Sequence, residues 1–338
     1  SMIIESYSGS GIANVQLFVT GGGGPNYNWH YVAVPADGIP KTYFTDINAF
    51  NLMAYNDSRV VTSDFNGWSW HDGYGGTPGI AGGGEFSTLS FGKGYNFYHT
   101  ADATVNFTGM TSLGTSLGSV PLQYSGSTAG SPIYGLNLLG NSLTCSLDWE
   151  KAILNGAVDQ AVYYTIGNKW STYLQGVGGT NGATKDIPPL QGFFVKANAT
   201  GGSIDLSDTR EHSAQSRYKK SGGDQETSKE AITYPRVRLE LTGEETSDEI
   251  LVWFSDEATT GYDGKSDALK LFSSKAGFNY LFSTLEGINY TINGVPIPGK
   301  TTIVPLGIKI AQSGNYSVLK KDFAAPEGYD IILIDKGN

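Results

Sequence analysis

Apolar and polar residues alternate along most of this chain. Val15-Gln16-Leu17-Phe18-Val19 and the run from Trp29 to Val34 read as short strands, closed by Gly21-Gly22-Gly23-Gly24-Pro25 and by Pro35. The segments Phe50 to Tyr55, Gly94 to His99, Ala103 to Phe107, Val162 to Ile166 and Gly192 to Lys196 continue the two-residue period. One stretch departs from it: Trp149 to Leu154, with Asp148 placed to cap it, predicts a single helical turn. The pattern as a whole predicts an all-β protein.

The period fades between Arg210 and Glu230. Nine of these 21 residues are charged, Ser221-Gly222-Gly223 sits among them, and apolar side chains nearly vanish. Such a segment has little with which to bury itself. Its basic residues Arg217, Lys219 and Lys220 read as a solvated stretch rather than a binding arm. Strand signals then return at Arg236 to Leu241, Glu249 to Phe254, Tyr290 to Gly294, Thr302 to Gly307 and Tyr329 to Asp335. The expected fold class is therefore two β-sandwich domains of jelly-roll or immunoglobulin-like type. The larger covers 1–209, a charged linker or exposed loop covers 210–231, and the smaller covers 232–338.

Composition narrows the chemistry. The 338 residues carry 32 acidic and 22 basic side chains, a net charge of −10 that repels phosphate backbones and argues against nucleic-acid partners. Cys145 is the sole cysteine, so no intrachain disulfide can form, and its setting between Leu143 and Leu147 reads as a small buried hydrophobe. No apolar run reaches the roughly 18 residues of a transmembrane segment. His30, His71, His99 and His212 lack metal-ligand spacing, and His30 and His99 read as hydrogen-bonded structural residues. Tyr124-Ser125-Gly126-Ser127-Thr128 lacks the leading Gly of a nucleophile elbow, and Gly21 to Gly24 lacks the Lys-Ser/Thr of a phosphate loop. No catalytic residue, metal or cofactor is expected. Ser1-Met2 reads as a vector remnant, so the chain is expected to begin inside a longer protein.

The candidate for recognition is the loop from Asn66 to Gly76. Trp68 and Trp70 fall on one side of an extended segment, with His71, Asp72 and Tyr74 adjacent. Flat aromatic faces stack on sugar C–H faces while polar neighbours bond hydroxyls, which makes these five residues a candidate glycan site. The same pattern also describes two indoles that fill a sandwich core. The acidic stretch Asp256 to Asp267 does not match a calcium-loop spacing and reads as turn-capping carboxylates.

Several phrases share an order with a known module. Trp29 to Pro35, Tyr55-Asn56-Asp57, Gly92-Lys93-Gly94-Tyr95, Phe107-Thr108-Gly109, Leu139-Gly140-Asn141 and Pro188 to Phe194 succeed one another. In this the chain resembles a β-sandwich module of large exported and surface proteins of Bacteroidota, of the kind preceding type IX secretion sorting domains. Ser142-Leu143 departs from the Pro-aromatic pair usual after Gly-Asn, which puts the local turn in question. Asp248 to Phe254, Thr260 to Asp263, Asp267 to Leu271, Ile292-Asn293-Gly294 and Val304 to Gly307 are similar to the domain that often follows. The resemblance implies a non-catalytic module of an exported protein, extracellular or on the outer-membrane surface, with further domains in a longer chain. Glycan binding or adhesion, to a glycan or a host or surface polymer, is the most concrete expected role. A structural spacer presenting a neighbouring domain is the alternative, and a glycoside-acting enzyme the weakest.

Overall fold

The computed structural model describes residues 3–4, 11–23, 27–44, 51–59, 67–70, 86–126, 134–167, 169–212, 234–243, 246–273, 277–297, 299 and 301–335. Among the described residues strands make up 46% and helical turns 3%. The all-β expectation holds.

A five-stranded antiparallel sheet lies at the centre, in the order Leu136–Gly140, Gly192–Lys196, Ala161–Ile166, Lys169–Leu174, Gly178–Thr180. The second of these strands, Gly192–Lys196, is buried along its whole length. Phe193, Val195 and Ala197 face a core containing Trp149, Tyr164 and Ile204, whereas Phe194 faces the opposite side with Leu138, Tyr163 and Leu174. A strand covered on both faces has no polar side to show. Below it, Asp148 caps the turn Trp149–Lys151 by accepting the Glu150 N–H at 3.0 Å, as the sequence predicts.

The N-terminal strands form a second layer. His30–Val32, Tyr95–Phe97, Leu52–Tyr55 and Trp68–Trp70 make a four-stranded sheet, and Ala13–Val19 pairs with Ala103–Met110. Val32, Leu52, Ala54, Tyr95 and Phe97 point into one core with Leu17 and Phe107. Tyr31, Tyr55 and Trp68 pack on the other side, toward Phe194 of the central sheet.

Two glycines of the recurring phrases sit where backbones nearly touch. A Cβ on Gly94 would lie 2.4 Å from the Leu139 carbonyl oxygen, and one on Gly140 would lie 2.6 Å from that of Lys93. Asn141 then ties two distant phrases together: its Nδ2 donates to the carbonyls of Cys145, Ile187 and Pro188 at 2.9–3.0 Å. Ser142, where the resemblance leads one to expect proline, accepts the Gly92 N–H on its hydroxyl at 2.8 Å.

The C-terminal strands form one further sheet, ordered Leu306–Lys309, Tyr280–Leu285, Ile288–Val295, Ser247–Phe254, Arg236–Thr242, Ser317–Ala324, with Ala268–Leu269 pairing Ile288–Val295. Val237, Leu239, Leu241, Ile250 and Val252 share its own core, while Leu251 and Ile292 face the central sheet. Two expected strands change. The run Thr302 to Gly307 becomes a strand only from Leu306, after Pro305, which has no N–H to donate. Tyr329 to Asp335 forms no strand, and Ile332, Leu333 and Ile334 are exposed. Alternation chooses the sides of a strand, but a strand also needs a neighbour for its backbone. Arg210 and Glu211, at the head of the expected linker, pair with Ser146 and Leu147, and residues 213–231 lie outside the described part.

Candidate functional site

The three layers meet along a seam, and the described site candidates fall there. Trp68 stands in a short strand opposite Tyr55, and its ring is half-buried. It lies nearly parallel to Tyr31 (centroids 6.2 Å apart, planes at 12°) and edge-on to Tyr55 at 5.1 Å and Phe194 at 6.1 Å. Trp170 closes the group at 5.2 Å from Tyr31 and 5.9 Å from Phe194. Burial pushes the Tyr31 and Tyr55 phenols well above their ordinary range, and the Asp57 carboxylate adds to the effect on Tyr55. Trp70 is placed by its backbone opposite Met53, with its side chain outside the described part. His71, Asp72 and Tyr74 lie outside the described residues, so the structure brings together only Trp68 and partners that the sequence did not single out.

A second cluster joins the central sheet to the C-terminal one. Asn181, just past the central edge strand, has a left-handed backbone (φ 56°), which asparagine tolerates better than most residues. Its Nδ2 donates to Asp248 Oδ1 and to the Trp170 carbonyl, both at 2.8 Å, and its Oδ1 accepts the Glu249 N–H at 3.0 Å. The other Asp248 oxygen accepts from Lys270 Nζ and from the Leu281 N–H. All three side chains are buried: Asn181 4%, Asp248 3% and Lys270 5% exposed. Burial pulls the Lys270 amine below its usual range, opposed by the attraction of Asp248. A small cavity adjoins them, lined by Lys169, Trp170, Leu271 and Tyr280 among others.

A third cluster surrounds two more buried carboxylates. Asp159 accepts from the Tyr262 hydroxyl and from Asn198 Nδ2. Asp267 accepts the N–H groups of Asp263 and Gly294, each at 2.8 Å. Burial raises the pKa of both, Asp267 to about 7. Asp263 accepts the Lys265 N–H at 3.0 Å. The carboxylates from Asp263 to Asp267 thus cap their own turn, as their spacing suggests, and among the described residues no group of His, Cys, Asp and Glu could hold a metal ion.

His30, His99 and the cysteine are held within the fold. His30 Nε2 lies 2.9 Å from the Thr20 carbonyl and His99 Nδ1 lies 2.7 Å from that of Ala101. Cys145 is buried, and burial raises its thiol pKa. No described helix is long and apolar enough to cross a membrane.

Residues 149–336 match a family described as a domain of unknown function, DUF8693, over more than half of the chain. The chain belongs to this family. The DUF8693 stretch contains Asn181, Asp248, Lys270, Asp159 and Asp267, whereas Tyr31 and Trp68 lie ahead of it. No curated protein and no solved structure matches.

The polar seam residues were not singled out from the sequence, yet one signal was present. Lys270 interrupts the apolar run Ala268-Leu269-Lys270-Leu271, and a lysine there must be buried with a partner. Nothing local names Asp248 or Asn181 as that partner.

Proposed function

We propose that this chain is a non-catalytic module of an exported or cell-surface bacterial protein, in which two β-sandwich units, 1–209 and 232–338, form a stiff spacer that presents neighbouring domains. The observation that carries this reading is the shared seam. Leu138, Tyr163, Leu174 and Phe194 of the first unit bury Leu251, Ala268 and Ile292 of the second. An apolar contact of this kind resists relative motion of two domains. Trp68 supports it by contacting Tyr55 and Phe194 edge-on, the geometry of packing. Thermal unfolding followed by tryptophan fluorescence tests the reading: one transition is expected, and two well-separated transitions would sink it.

Glycan binding is a second reading, favoured by one observation. Trp68 and Tyr31 offer near-parallel, half-buried rings on the sheet that also carries Asn96, whose buried Oδ1 has no hydrogen-bond partner among the described residues. Affinity electrophoresis against soluble polysaccharides decides it. Retardation of the parent chain that is lost in Trp68→Ala favours a sugar site, and unretarded migration removes it.

A further inference from the structure

We propose that Lys270 and Asn181 become joined by an intramolecular isopeptide bond, with Asp248 carrying the protons. This goes beyond the spacer reading and does not depend on it.

The argument begins with what a carboxylate between an amine and an amide can do. Asp248 holds Lys270 Nζ on one oxygen and Asn181 Nδ2 on the other. In a water-poor interior an ammonium is costly to hold, and the neutral lysine amine becomes accessible. The lowered basicity of Lys270 has that origin, burial of the ammonium. A neutral lysine amine is a nucleophile, and holding it on the same carboxylate as the amide replaces a bimolecular encounter with a unimolecular step.

The steps balance without any co-reactant. Lys270 Nζ passes a proton to Asp248 and attacks Asn181 Cγ, forming the C–N bond. Charge then develops on Asn181 Oδ1, which already accepts the Glu249 backbone N–H, a donor of the oxyanion-hole kind. The carboxyl proton moves to Nδ2, a proton from the attacking nitrogen returns to Asp248, and the C–Nδ2 bond breaks with release of ammonia. An amine and a primary amide become a secondary amide and ammonia, with no oxidation. Asp248 is held in position meanwhile by the Leu281 N–H at 2.8 Å.

A second buried lysine supplies an internal comparison. Lys196 is 1% exposed, but its Nζ donates to the Tyr134 carbonyl at 2.6 Å rather than to a carboxylate shared with an amide. Among the described residues Asp159 and Asp57 act on it through charge, with no direct hydrogen bond to its Nζ, and it is not expected to react. The bond from Lys270 would tie the first unit to the second covalently, across the seam.

Intact-mass measurement of the full chain, followed by tryptic peptide mapping, tests the proposal. The parent is expected to be lighter than its sequence by one ammonia and to yield a branched peptide containing Asn181 and Lys270. Lys270→Arg and Asp248→Asn are expected at their full sequence masses. A parent at full mass overturns the proposal, and this measurement needs no variant to fold. Ammonia loss that persists in Lys270→Arg also overturns it, because a succinimide at Asn181-Gly182 loses ammonia without linking Lys270. Persistence in Asp248→Asn overturns the role of Asp248.

Discussion

The Tyr163 hydroxyl, wholly buried in the central sheet, accepts the backbone N–H of Leu269 from the C-terminal sheet at 3.0 Å. One phenol thus serves two purposes. Its ring fills the apolar seam, and its oxygen satisfies a donor that the seam would otherwise strand. Tyr163→Phe keeps the ring and removes the acceptor, so it isolates the second contribution. A buried N–H left unpaired costs about 1–3 kcal/mol. Urea unfolding should show a loss of that order with an unchanged slope, and a variant as stable as the parent would contradict the contact.

Asp267 gives the seam a pH dependence of definite sign. Its folded pKa is pushed up to about 7 by burial, with Asp263 and Asp159 adding like charge and the Asp263 and Gly294 N–H groups opposing. The phenols of Tyr163, Tyr262 and Tyr290 stand near it, each raised chiefly by burial. An unfolded aspartate titrates at about 4. Between these values the folded state holds the extra proton, so stability is full at the acid end and falls as pH rises through about 7. Denaturation midpoints taken across this window should decline toward alkaline pH, more steeply in the parent than in Asp267→Asn. Equal slopes would show that Asp267 is not the group responsible.

Trp68→Ala separates packing from binding. Truncating a fully buried aromatic costs roughly 3–5 kcal/mol, and a half-buried ring should cost on the order of 2 kcal/mol. The spacer reading expects that loss of stability with no change in migration through polysaccharide gels. Unchanged stability together with lost retardation would reverse the assignment.

The expected linker provides a fourth test. Limited proteolysis is predicted to cut between Arg210 and Glu230 and leave two resistant pieces. Because Phe194 and Tyr163 share a core with Leu251 and Ile292, the nicked pieces should still elute together from a sizing column without denaturant. Separate elution would mean that the seam is too weak to hold the units.

Much of the fold was legible from single residues. Asp148 announces the helical turn because a carboxylate can accept an N–H two residues on, and the Gly192 to Lys196 phrase announces a strand, though not that both its faces are buried. The end of the chain misled the same reasoning. Ile331 to Ile334 has strand-like content, yet it pairs with nothing described, because propensity cannot supply a partner. The aromatic pattern at Trp68 was visible too, but whether an indole meets solvent or Phe194 depends on a strand that begins at Gly192, far along the chain.

Local order in the sequence therefore determined the class of structure: a two-residue period, turns at Gly, Asn and Pro, and the absence of recognisable catalytic spacing all follow from neighbours along the chain. Only the tertiary structure decided which distant groups share the seam. Asn181, Asp248 and Lys270 meet because strand register and layer packing bring three separate stretches of chain to one buried point, and no local period encodes that encounter.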